Sequence, residues 1–278
     1  MTRAFNVVRI QPPGYVHALA LEEAAEYLHH NLLAHGQRSQ LTVNHVVHDA
    51  RNVILCAHLL GHGDVAQLPA DSIIFNSEQL GDRDGWHFAS GVYQQLLDRF
   101  HVWDYAHANL ARIPHDRKAV IPFAACDALV RTAIARGGGD ALVFYGVLTD
   151  RRRRILDELR DHGIAVVAAF GRYGAARDRE MFAARAVLNL HKSDDASVFE
   201  PIRCFYPLIN QVPVISEAST DPTADAFRDA MWLLPRERFA VGLARVLADP
   251  GELQARTRRF ASTSAHDAFA RAIAGLDG

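Results

Sequence analysis

Short apolar runs of strand composition and longer stretches of helical spacing take turns along this chain. Runs at 5–10, 41–47, 52–57, 72–75, 101–105 and 118–123 read as strands. Helical spacing is predicted over 17–35, over 86–100 and from 106 towards 113. Gln11-Pro12-Pro13-Gly14 breaks the chain after the first run, and Gly36 stops the first helix. A helix over 127–136 runs into Gly137-Gly138-Gly139, and then the alternation restarts. Strands follow at 141–145, 164–170, 186–191 and 212–215, with helices over 150–162, over 175–184 and around 200–203. An edge strand at 231–234 and helices over 236–247 and 251–274 complete the pattern. Alternation of this kind predicts parallel sheets covered on both faces. No Lys-Ser or Lys-Thr follows the triple glycine as a P-loop requires, so it marks a boundary between two α/β halves, with the change of domain near residue 123.

The polar residues at the ends of these runs are where chemistry is expected, because open α/β sheets place ligands at the carboxyl ends of their strands. Glu200 and Arg203 sit three apart, hence on one face near a helix N-terminus, where a guanidinium and free N–H groups attract an anion such as a phosphorylated ligand. The same spacing also fits an exposed helix pair worth a few tenths of a kcal/mol. Asn189 and His191 end the preceding strand, and Ser216 and Glu217 end the next. Glu217 is a second carboxylate for the site or, equally, a helix cap. Gly146 precedes Arg151-Arg152-Arg153-Arg154 at a strand-to-helix turn, where a guanidinium can meet a diphosphate bidentately while the glycine permits close backbone approach. At most two of the four arginines can face one ligand. In the first half His58 follows VILCA and Glu78 follows IIFNS. Both are placed at strand ends, and His58 fits a satisfied core histidine equally well.

Composition narrows the classes without naming one. The chain has 278 residues, enough for one large core or two smaller ones, and a formal net charge of -2, which gives no global attraction to nucleic acid. No leader-like segment opens the sequence MTRAFNVVRIQPPGY and no apolar run reaches membrane-spanning length, so a cytoplasmic protein is expected. Cys56, Cys126 and Cys204 lack paired spacing and are read as buried or free thiols. The 15 histidines, among them His58 and His62 four apart, form no HExxH, so no metal site is expected and most are assigned to the surface.

Several phrases, in their order, resemble a known family: NVILCAHLL from 52, IIFNSEQL from 73, VWDY from 102, FYGVLTDRR from 144, LNLH from 188, FEPIR from 199 and VPVISE from 212. Over residues 5–217 the chain resembles bacterial GT-B glycosyltransferases of the group 1 type, in particular a short subgroup. The resemblance implies two Rossmann-like domains with parallel sheets facing a cleft: 1–123 on the acceptor side and 124–278 on the donor side, the last helix packing back on the first. It implies transfer of a sugar from a nucleotide-diphosphate sugar, UDP- or GDP-linked, to a hydroxyl acceptor in glycan or glycoconjugate biosynthesis. No cofactor and no obligatory metal are implied, since Arg151, Arg152, Arg203 and the helix N-terminus after Asp194-Asp195 would neutralise the leaving diphosphate. By similarity Glu200 addresses the donor sugar or its phosphate, His191 and Ser216 line the donor side, Glu217 meets the ribose, and the loop at Gly14 closes over the phosphates. Glu78 is then the group that takes the acceptor proton and His58 its neighbour, with Glu200 across from them.

Two departures stand out. The family's Glu-x7-Glu spacing is absent, because Leu208 occupies the position eight after Glu200, and PFAA at 122–125 replaces an expected Gly-Tyr. They leave two other readings open: a GT-B-type nucleotide-sugar epimerase using the same donor groove, and a non-catalytic nucleotide-sugar-binding protein.

Overall fold

The computed structural model describes residues 3–81, 85–132, 139–194 and 198–276. The chain divides into two compact units, one of residues 1–128 with 264–278 and one of 129–263. The division thus falls after 128, where the sequence suggested 123, and residues 264–278 group with the first unit.

The first unit is built on six strands: β1 Ala4–Arg9, β2 Ser39–Val43, β3 Ala50–Leu55, β4 Ile73–Asn76, β5 His101–Asp104 and β6 Lys118–Val120. All pair in parallel, in the order β2-β1-β3-β4-β5-β6. Helices α1 Glu22–Ala34, α2 His62–Gln67, α3 Val92–Arg99 and α4 His107–Leu110 connect them. Val7, Val8, Val53, Ile54, Ile73 and Ile74 are fully buried, so adjacent residues of one strand are both covered, as helices on both faces of a parallel sheet require. The run expected to reach Val47 ends at Val43, where Asn44 turns at φ 53° and its side chain pairs with the Gln11 main chain.

The second unit repeats the plan with β7 Leu142–Phe144, β8 Val166–Ala168, β9 Ala186–Asn189, β10 Val214–Glu217 and β11 Trp232–Leu234, in the order β11-β10-β9-β7-β8. Its helices are α5 Asp150–Asp161, α6 Gly174–Ala183, α7 Pro201–Ile209, α8 Phe239–Leu247 and α9 Pro250–Arg258. Phe144, Leu188 and Ile215 from the sheet pack with Ile155, Leu159 and Leu243 from the helices. In each unit the chain runs outward from its first strand and then crosses back past it. The strand order therefore reverses between β1 and β3, and between β7 and β9, and the carboxyl ends at those reversals form a crevice for ligands.

Two expected helices are corrected. Over 127–136 the described residues hold only a 3-10 turn, Asp127–Leu129; residues 133–138, with Gly137 and Gly138, lie outside the described residues. Here the Arg131 N–H is spent on Asn210 Oδ1 (2.7 Å) and the Leu129 carbonyl on Asn210 Nδ2 (3.1 Å), so the main chain is tied to α7's end instead of coiling on itself. The single helix expected over 251–274 breaks into α9, a 3-10 turn Arg259–Ser262 and α10 His266–Ala274. Ser262, Thr263 and Ser264 cause the break, their hydroxyls bonding the Arg259 and Phe260 carbonyls and the His266 N–H in competition with the helix. Among the described residues no helix is long and apolar enough to cross a membrane.

Candidate functional site

In the second unit the sequence brings six charged side chains to the carboxyl ends of β7, β9 and β10. The first turn of α5 follows β7, and Thr149 caps it by accepting the Arg152 N–H. That cap aims Arg151 across the strand ends. Its Nη1 and Nη2 donate to the two oxygens of Glu217 at 2.8 and 2.7 Å, Nη1 reaches the His191 carbonyl at 3.2 Å, and Nε meets Asp194. Glu217 is buried at 1% exposure and also accepts the His191 N–H at 2.6 Å, so both its oxygens are occupied. These bonds and Asp194 hold the Arg151 guanidinium firmly protonated.

Arg152, expected to meet a ligand, is fully buried. It donates to the Val147 carbonyl (2.9 Å), the Leu190 carbonyl (2.7 Å) and the His191 carbonyl (3.2 Å), and stands over the Phe144 ring. It is therefore a cross-brace between the ends of β7 and β9. Burial, with Arg203 close by, pushes its guanidinium down to about 10.

Arg203 is the more open cation, its side chain 24% exposed, and it donates to Glu200 at 2.6 Å. Glu200 is the N-cap residue of α7, with Pro201 at the first helical position, and its carboxylate also lies 3.6 Å from Arg152. Gly146 closes this corner. A Cβ there would come within 3.1 Å of the Phe144 ring and within 3.6 and 3.7 Å of the guanidinium groups of Arg203 and Arg152. Ser216 and Asn189 face each other across β10 and β9, fully buried, the Asn189 amide donating to the Ser216 hydroxyl at 3.0 Å; they join the strands. The His191 ring bonds the Ala218 carbonyl through Nε2 (2.9 Å). Leu208, where the family spacing calls for a second glutamate, is fully buried in α7. Asp195 lies outside the described residues.

In the first unit His58 and Glu78 do meet. Cys56 leaves β3 in the left-handed region at φ 57°, a conformation that costs a non-glycine residue, and the turn that follows swings His58 towards the end of β4. His58 Nδ1 lies 3.3 Å from Glu78 Oε1 and His87 Nδ1 3.8 Å from Oε2. The histidine side chains are 7% and 3% exposed and that of Glu78 26%. Burial pushes His58 down to about 4, so it is neutral at physiological pH. Tyr93 packs edge-on against both imidazoles. The Glu78 main chain is pinned by Asn76 and Asn109, whose side chains also bond buried Asp104. Burial raises Asp104 to about 7 against the pull of these donors. Gly14 adopts φ 77° in the loop after β1, a conformation that suits glycine. Reading the chain by runs missed His87, Asn76 and Asp104: His87 fell inside the helix expected over 86–100, which the structure breaks into the turn Trp86–Phe88 and α3, and only their places at strand ends could have marked Asn76 and Asp104. It also assigned most histidines to the surface, whereas His87 and His191 are buried.

Among the described residues no group of three or more His, Cys, Asp or Glu side chains converges as a metal site.

No protein-family model matches the chain. By sequence it is similar to uncharacterized proteins of Acanthamoeba polyphaga mimivirus. One, L137, is 29% identical over 163 residues, 54% of this chain and 21% of that protein. Another, L140, is 28% identical over 167 residues, 58% of this chain and 53% of that protein. The matches thus span about half or less of those relatives, and being viral they give the bacterial side of the resemblance no support. By structure it is similar to AviGT4, a glycosyltransferase involved in avilamycin A biosynthesis (TM-score 0.55, 14% identity, 99% of this chain and 97% of that one). It is also similar to T4 phage BGT solved with its substrate UDP-glucose (TM-score 0.55, 9% identity, 99% and 97%). A candidate UDP-N-acetylglucosamine 2-epimerase of Listeria monocytogenes follows at TM-score 0.50 and 10% identity, over 100% and 96%. The fold is that of GT-B glycosyltransferases: two parallel-sheet, Rossmann-like α/β units.

Proposed function

We propose that the chain is a glycosyltransferase whose second unit holds a nucleoside-diphosphate sugar, UDP- or GDP-linked, and whose first unit activates a hydroxyl of the acceptor. The observation that carries this reading is the set of guanidinium groups at the strand-order reversal of the second sheet, Arg151 across the strand ends and Arg203 beside Gly146. Pre-oriented cations at that point can bind a diphosphate and neutralise it as it leaves, without an obligatory metal. The fold shared with an enzyme solved with UDP-glucose supports the same ligand class. Within this reading Arg203 and the open edge of Arg151 meet the phosphates, while Glu200 orients Arg203 and faces the sugar. Glu217, His191, Ser216 and Arg152 hold the frame. Gly146 leaves room for the phosphates. Glu78 takes the acceptor proton, with His58 beside it.

An epimerase would use the same donor groups, and the likeness to the Listeria protein favours it as the second reading. Calorimetric titration with UDP and GDP, followed by incubation with each nucleotide-sugar alone, separates the possibilities. Binding of at least one diphosphate, weakened in Arg203→Ala, is expected; no binding of either removes the proposal. An altered sugar still linked to its nucleotide would turn it to the epimerase.

A further inference from the structure

Glu78 has a second imidazole beside it that the reading above leaves unused. His58 approaches Oε1 and His87 approaches Oε2, each through Nδ1, so the two rings flank the carboxylate from opposite oxygens. His87 reaches this place from the short turn Trp86–Phe88, distant in sequence from the turn that carries His58. Both rings are buried and share one aromatic support, the Tyr93 ring, with centroids at 5.8 and 6.0 Å, and Phe88 backs His87 at 4.5 Å. Tyr93 against both rings and Phe88 against His87 limit how the two imidazoles can turn. Burial first, and the Glu78 charge after it, pushes up Tyr15 from the loop after β1, Cys56 at the end of β3 and Tyr93 on α3. Arg9 acts on Cys56 with the opposite sign, and Asp104 adds to the negative field at Tyr93.

We propose that His87 is a positioning residue for Glu78: together with His58 it flanks the two carboxylate oxygens and presents the group ionised towards the acceptor. This deepens the proposed function, and rests on it for the acceptor. At 3.3 and 3.8 Å the two histidine contacts are electrostatic rather than hydrogen bonds, and an imidazole that turns a protonated Nδ1 to the carboxylate favours its charged form through the N–H dipole. Two such dipoles, one at each oxygen, keep Glu78 able to accept a proton and bias the direction from which it does so.

The test begins on the unsubstituted chain. In 15N-histidine spectra at neutral pH, His87 should carry its proton on Nδ1; a ring with Nδ1 unprotonated and facing the carboxylate would overturn the proposal. Carbon-13 carboxyl spectra, with the Glu78 signal identified from Glu78→Gln, then follow its titration. Loss of the N–H dipole in His87→Phe should move that titration upward by about one pH unit, while His87→Asn, which keeps an N–H near the Nδ1 position, should restore it. The acid limb of turnover should shift with it. An unmoved Glu78 titration in a folded His87→Phe protein refutes the positioning role. Should Glu78 titrate as expected while Glu78→Gln turns over at the parent rate, the fault lies with the proposed function and the hold of His87 on Glu78 stands.

Discussion

Replacing Arg151 by methionine should destabilise the second unit by about 3–5 kcal/mol, the range for breaking a buried ion pair from one side. The magnitude comes from what is left behind. Glu217 is 1% exposed and keeps only the His191 N–H after losing both bonds from Arg151. Asp194, the other carboxylate on Arg151, has a side chain 74% exposed and loses little, since an exposed pair contributes about 0–1 kcal/mol. The cost therefore belongs to Glu217, and removing its charge as well should recover much of it. Arg151→Met with Glu217→Leu leaves one buried N–H without an acceptor, at about 1–3 kcal/mol, so the double variant should be more stable than Arg151→Met alone. Urea unfolding followed by circular dichroism and tryptophan fluorescence measures both. Binding gives the second readout: the double variant should fold yet bind UDP or GDP more weakly than the parent. An Arg151→Met midpoint equal to that of the parent, or single losses that simply add, would refute the argument that Arg151 anchors a buried carboxylate.

Other expectations follow from the same geometry. Arg203→Ala should weaken UDP or GDP binding by roughly 10- to 100-fold in calorimetry, a charge-assisted bond being worth about 1.5–3 kcal/mol, with little loss of stability because its side chain is partly exposed. Arg152→Met should instead lower the unfolding midpoint strongly, because three main-chain carbonyls lose a buried donor, and an unchanged midpoint would contradict the brace. His58 and Asp104 should leave opposite marks on stability against pH. The His58 value falls from 6.5 to about 4 on folding, so the unfolded chain binds the proton between those values and stability is lost as pH falls through that window. Asp104 rises from 3.8 to about 7, so its contribution is present at low pH and is lost as pH rises through the overlapping window. Asp104→Asn should therefore expose a stability that climbs with pH from about 4 to 6.5, and a flat profile in that variant would contradict the opposition.

The alternation of strands and helices was legible because buried parallel strands leave apolar runs that no turn interrupts, as at Val53-Ile54-Leu55 and Ile73-Ile74-Phe75. What escaped depends on partners distant in sequence. The 127–136 segment has helical spacing, yet Asn210 claims its main chain, and nothing near residue 130 announces that. Of the four adjacent arginines the resemblance picked out Arg151 and Arg152 together, and nothing local told those two apart. The helix places Arg151 along the strand ends and Arg152 beneath them, a difference of one residue that separates a 10% exposed side chain from a 1% exposed one. Glu78 and His58 were marked by their positions after strands, whereas His87 was read into a helix over 86–100 and joins them from the turn Trp86–Phe88.

The most direct test of the central claim is nucleoside-diphosphate release from a panel of UDP- and GDP-sugars, followed by phosphorus NMR in the presence of a chelator. The account expects cleavage of at least one donor, and a Glu78→Gln variant that binds the donor as the parent does while turning over roughly 100-fold or more slowly. A Glu78→Gln variant that cleaves at the parent rate, or a parent that binds a nucleotide-sugar and cleaves none of the panel, would contradict it.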